Sequence, residues 1–201
     1  MPDLIRSVCV YCGSSPGHDP SYAQAARELG RILAEEGVKL VYGGGGSGVM
    51  GEIARATLAH GGHVLGIIPS FLREREVQLN ECTELVVVPD MHVRKQRMFD
   101  EADAFVALPG GVGTLEELAE QMTWAQIGRH TKPILIADVS GFWRPLLSLF
   151  AHMREAGFIR AENEVKPIVA EKIIDVLPML RAAAQRTAAA GTPNSEIVTR
   201  F

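Results

Sequence analysis

Short apolar runs recur about every 30 residues, each followed by a glycine or proline turn and then a segment of helical periodicity. The runs are Ser7–Tyr11, Val38–Tyr42, His63–Ile68, Leu85–Val88, Ala104–Leu108 and Pro133–Ala137, with a short seventh at Ile168–Val169. Most are apolar at successive positions, which marks strands buried on both faces. The spacing predicts helices at Ser21–Glu36, from Val49 to His60, from Asp90 (as the cap) to Glu101, from the Pro109 loop to Ile127, from Phe142 to Glu155 and over Glu171–Gln185. Pro69 opens an irregular stretch through Leu79. Strands of this kind between amphipathic helices make a parallel sheet with helices on both sides. Right-handed crossovers then leave a doubly wound, Rossmann-like α/β fold of three layers in a single domain. The expected division is one Rossmann-like domain over residues 1–181 and a peripheral C-terminal extension over 182–201 without chemistry of its own.

Charge removes several functions. Twenty Lys and Arg against 24 Asp and Glu give a net charge of −4, no basis for nucleic-acid or membrane-surface binding. No stretch approaches the roughly 18 apolar residues of a membrane span. The start, Met1-Pro2-Asp3-Leu4-Ile5-Arg6, has no secretory pattern, so a cytoplasmic protein is expected. Cys9, Cys12 and Cys82 are a poor disulfide set. Cys9-Val10-Tyr11-Cys12 matches C-x-x-C but sits within a strand run instead of opening a helix, which favours buried strand cysteines over redox chemistry. Neither a metal nor an organic cofactor is called for.

Two glycine-rich loops lie after strands, where ligands of doubly wound sheets bind. Gly43-Gly44-Gly45-Gly46-Ser47-Gly48 formally satisfies the dinucleotide fingerprint, yet the next strand ends Gly66-Ile67-Ile68-Pro69 without the ribose-binding acid. No Lys-Ser/Thr follows, which excludes a P-loop. The run is read as a loop that approaches a phosphate or ribose with bare backbone. Pro109-Gly110-Gly111-Val112-Gly113-Thr114 is sharper. Its amides from Gly111 to Thr114, the Thr114 hydroxyl and the positive helix end form an anion nest suited to a monophosphate.

Glu117 carries two readings. Thr114-x-x-Glu117 is a capping box; alternatively Glu117, opposite the apolar stripe Leu115, Leu118, Ala119 and Met122, faces the site as a general base. The helix after Asp90 places Met91, Arg94, Lys95, Met98 and Ala102 on one face. Two cations in an apolar stripe either snorkel to solvent or reach a ligand at the strand ends. His92 lies off that face and is read as a surface residue, and Asp103 as a turn residue.

These motifs resemble the LOG family, cytokinin riboside 5′-monophosphate phosphoribohydrolases long mislabelled lysine decarboxylases. The pattern P-G-G-x-G-T-x-x-E is present from Pro109 to Glu117, Met-His-x-Arg-Lys from Met91 to Lys95, and the trailing helix as Thr123-Trp124-Ala125-Gln126. The resemblance covers roughly residues 5 to 180. It implies hydrolysis of the N-glycosidic bond of a purine nucleoside 5′-monophosphate, AMP or an N6-isopentenyl-type cytokinin nucleotide, to free base and ribose 5-phosphate. It also implies Arg94 and Glu117 as the catalytic pair. The substrate-binding residues implied are Glu76, Arg94, Lys95, Gly111, Val112, Gly113, Thr114, Leu115, Glu116, Glu117 and Thr123. The resemblance further implies a homodimer with the sites near the subunit interface, family members sometimes forming larger oligomers. The competing reading is a non-catalytic nucleotide or cofactor carrier on the same fold. No lysine carries a pyridoxal-phosphate signature, which argues against decarboxylation.

Overall fold

A computed structural model describes residues 4–73, 82–159 and 164–190. Seven strands form one parallel sheet: β1 (Ser7–Tyr11), β2 (Lys39–Tyr42), β3 (Val64–Pro69), β4 (Glu84–Val88), β5 (Ala104–Ala107), β6 (Ile134–Ala137) and β7 (Ile168–Ala170). The helices are α1 (Pro20–Glu35), α2 (Gly48–Ala59), α3 (Ser70–Arg73), α4 (Met91–Asp100), α5 (Val112–Gln126), α6 (Arg144–Glu155) and α7 (Val176–Ala190). The strand order is β4-β3-β2-β1-β5-β6-β7. The winding reverses between β1 and β5, so loops leaving these two strands turn to opposite faces and open a crevice between them.

Alternation along each strand sorts side chains into two cores. Val8, Val10, Leu40, Tyr42 and Val106 pack under α1, α2 and α7 through Leu29, Leu33, Ile53, Leu177 and Leu180. Cys9, Tyr11, Val41, Ile67, Phe105 and Ile136 pack under α4 and α5 through Met98, Ala102 and Leu118. The expected doubly wound, three-layer α/β domain is the observed one.

Element boundaries differ where turn chemistry decides them. α1 starts at Pro20 because Asp19 caps it, its carboxylate accepting from Ser21 N at 2.8 Å, and proline suits the first helical position. Pro69 ends β3 opposite Val88 and the short α3 follows it, where the start of an irregular stretch was expected; the part of that stretch from 74 to 79 lies outside the described residues. α7 runs unbroken from Val176 to Ala190, past the expected helix end at Gln185, and so takes in the first residues of the expected 182–201 extension. The rest of that extension, from 191, lies outside the described residues.

Asp103 ties the start of β1 to that of β5. Its Oδ2 accepts from Arg6 N at 2.8 Å, Ser7 N at 3.0 Å and Ser7 Oγ at 3.1 Å. Asp103→Ala removes three hydrogen bonds to a carboxylate, two of them from part-buried Ser7, and is expected to cost about 1–3 kcal/mol, read by urea unfolding. The contact lies at the amino ends of the strands, so the carboxyl ends, where ligands of such sheets bind, should keep their geometry.

Candidate active site

At the carboxyl ends of β1, β2 and β5 a cavity of about 320 Å³ opens into the crevice, a volume in the range of small-ligand sites. The strand ends contribute Tyr11, Cys12, Gly13 and Gly43; α4 contributes Met91, Arg94 and Met98; α5 contributes Gly111 to Thr114, Glu116 and Glu117. Leu72 of α3 closes one side.

The first turn of α5 presents backbone to this space. Gly111 is the N-cap, without a side-chain cap hydrogen bond. Amides in the first turn of a helix lack intrahelical partners. A methyl group placed on Gly111 or Gly113 would meet nothing within 4 Å, so no neighbour in the chain demands glycine there. Bare amides at a positive helix end remain, an anion site in form. Gly110 differs: a methyl there would overlap Thr114 Oγ1 and come within 2.8 Å of Gly13 N. Its lack of a side chain lets β5 and β1 exit side by side.

With the cap at Gly111, Thr114 is the third helical residue, buried within the first turn. The capping-box geometry is therefore not the observed one. Glu117 turns instead to α4, where its Oε1 accepts from Arg94 Nη1 at 2.7 Å. Both residues are 8% exposed. Arg94 Nε donates in addition to Ile67 O at 3.1 Å. Glu117 Oε2 takes no hydrogen bond from a described residue. Burial pushes the Glu117 carboxyl above the usual glutamate value; Arg94 pulls it down, and Glu116 adds a smaller upward push. Burial prevails, leaving the carboxylate more basic than one in water. Burial likewise pushes up the neighbouring Tyr11 hydroxyl and Cys9 and Cys12 thiols, which stay protonated, and all three cysteines are free.

Lys95 lies beside Arg94 in sequence but does not line the cavity. Its Nζ bridges Glu116 at 2.5 Å and Glu120 at 2.9 Å, pinning α4 to α5. The two cations of the stripe are thus buried by pairing, Arg94 inward and Lys95 sideways. Leu115 is partly exposed and turned away from the cavity, and Thr123 is exposed with its Oγ1 donating back to Ala119 O. Glu76 lies outside the described residues.

Of the Gly43–Gly48 run, only Gly43 borders the cavity. Gly44 and Gly48 answer to packing. They have φ of +79° and +60°, the region that favours glycine. A methyl on Gly48 would overlap the Ser14 backbone, and one on Gly44 would press Ile68. Gly46 O accepts from Arg55 Nη1 at 2.8 Å, and Ser47 is the N-cap of α2. Cavity residues that sequence reasoning missed include Tyr11, Cys12, Met50 and Leu72. For the first two the signal was present, since they end the strand at which the winding reverses.

Fold and site together define a Rossmann-like α/β protein with the bare amino end of a helix beside a buried carboxylate–guanidinium pair. The family model described as "Possible lysine decarboxylase" matches residues 50–180. The chain is 49% identical to cytokinin riboside 5′-monophosphate phosphoribohydrolase LOG7 of Arabidopsis thaliana, over 77% of this chain and 71% of that one. It is also 49% identical to the phosphoribohydrolase LOG of Oryza sativa subsp. japonica, over 82% and 68% respectively. The chain belongs to this LOG family. Among solved structures, the structural-genomics target TM1055 aligns with a TM-score of 0.71 at 22% identity over 89% of this chain and 99% of that one. The Moco carrier protein of Chlamydomonas reinhardtii aligns with a TM-score of 0.68 at 20% identity over 90% and 99%. At those identities the likeness is one of fold.

Proposed function

We propose that this protein hydrolyses the N-glycosidic bond of cytokinin riboside 5′-monophosphates, and of AMP, to the free base and ribose 5-phosphate. The observation that carries the reading is Glu117: a buried, basic carboxylate held by Arg94 through one oxygen, in a cavity whose wall is the bare amino end of α5. The relatives' names supply the substrate class.

In this reading the 5′-phosphate sits on the first-turn amides of α5, where the helix dipole and unpartnered N–H groups favour a dianion. Anchoring the phosphate fixes the ribose, and C1′ comes to lie against Glu117. Breaking the C1′–N bond moves its electron pair to the base and builds positive charge on the sugar. Glu117 Oε2 faces that charge in a site where burial strengthens the attraction. The same oxygen takes a proton from the water that attacks C1′, for which a raised pKa is an advantage. The departing base takes up a proton from the protein or from solvent, and Glu117 gives up the one it took, so that each turnover consumes one water and restores the carboxylate. Arg94 fixes the orientation of the carboxylate. Lys95 acts at one remove, neutralising Glu116 and Glu120 beside the working acid.

The test is incubation with AMP and with its N6-isopentenyl derivative, with products separated by chromatography. Free base and ribose 5-phosphate in equal amounts are expected. Nucleotide binding without base release overturns the proposal in favour of a carrier. The Glu117 carboxyl also sets the pH dependence: kcat should fall as pH drops through its raised pKa, at a higher pH than a solvated glutamate would give.

A further inference from the structure

We infer that Gly43 is a positioning residue, and that the space left by its missing side chain is the seat of the Arg94 guanidinium as it holds Glu117. The inference rests on reading Arg94 and Glu117 as the working pair.

Arg94 reaches across the cavity from α4 and is fixed at two nitrogens. Nε donates to Ile67 O near the end of β3 at 3.1 Å, and Nη1 donates to Glu117 on α5 at 2.7 Å. The third nitrogen, Nη2, lies over Gly43, where β2 ends. A methyl group placed on Gly43 would overlap Nη2, lie 3.5 Å from Arg94 Cζ and press Met50 Sδ at 3.0 Å. These three nearest atoms all belong to side chains. The Gly43 backbone is also outside the left-handed region, so alanine suits its conformation. What a side chain at residue 43 disturbs first is therefore the guanidinium. Gly44 and Gly48 are different, because both have positive φ and a methyl on Gly48 would strike backbone.

Held at Ile67 and Glu117, the planar guanidinium must give way for a methyl group at residue 43, and its fixed fork ties that shift to both bonds. Displacing Nη2 breaks one or both, and Glu117 loses its orientation and its neighbouring positive charge. The first residue of the glycine run thus serves the chemistry by making room for a side chain of the enzyme, not for the substrate.

The test is Gly43→Ala. Its kcat for base release from AMP should drop about 100-fold, with KM changing by less than about threefold. The acid limb of the kcat profile should move up by about one pH unit as Glu117 loses its cation. A crystal structure of the variant should show the Arg94–Glu117 bond broken and the sheet unmoved. Lysine lacks the outer nitrogen that collides, so Gly43→Ala with Arg94→Lys should regain about tenfold over Gly43→Ala alone. Wild-type kcat and acid limb in Gly43→Ala, or a crystal structure with the bond intact, overturns the inference. If Gly43→Ala fails to fold while the double variant folds, the obstacle is the guanidinium, as inferred; if neither folds, it is backbone and the inference falls. If the wild-type protein releases no base, the proposed function fails on its own, and the variant's crystal structure still decides the seating of Arg94.

Discussion

Glu117→Gln is expected to lower kcat for base release by about 10³-fold, with nucleotide affinity close to wild type. Glutamine keeps the size of the side chain and can still accept from Arg94 Nη1, so the geometry that holds residue 117 survives. It has no charge to set against a cationic sugar and no basic oxygen to take the proton of water. Both losses are felt in the transition state and hardly in the bound ground state, so kcat moves and KM does not. Rates of base release, with calorimetric titration of AMP into the variant, measure the two halves separately. A variant that hydrolyses at the wild-type rate makes Glu117 a structural partner of Arg94.

The second large effect is on stability. Arg94→Met leaves Glu117 as a buried carboxylate without its cation, which costs about 3–5 kcal/mol near neutral pH. Burial already pushes the Glu117 carboxyl upward against the pull of Arg94, and removal of that pull raises it further. The folded variant then keeps a proton at pH values where the unfolded chain has lost it. Its stability must rise as pH falls through that window, and the deficit against wild type must shrink. Urea unfolding of both proteins at a series of pH values should show the gap closing toward acid. A gap independent of pH would mean that Arg94 contributes packing and no charge.

Much of this arrangement was legible in one dimension because its signals are periodic. Runs such as Ser7–Tyr11 and Ala104–Leu108 are uninterrupted because both faces of the sheet are covered, and α5 and α4 announced themselves by the nest and by two cations in an apolar stripe. The stripe did not show that Arg94 and Lys95 part company. That division depends on Glu116 and Glu120 lying across from α4, a tertiary fact. A capping box would have put the cap at Thr114, but the cap fell at Gly111, which removed the box and left Glu117 to Arg94. The short α3 was hidden because four residues after a proline have no period to detect.

The Gly43–Gly48 run shows a different limit. A glycine demanded by a ligand and one demanded by a neighbouring segment look alike in sequence. Only the fold separates Gly48, crowded by Ser14, from Gly113, which faces open space.

The most direct measurement is the crystal structure of the Glu117→Gln variant with AMP bound. The expected result is the 5′-phosphate on the amides of Val112, Gly113 and Thr114, with C1′ about 3–3.5 Å from the nearer side-chain atom of residue 117. A phosphate bound elsewhere, or an anomeric carbon beyond reach of that side chain, would contradict the account.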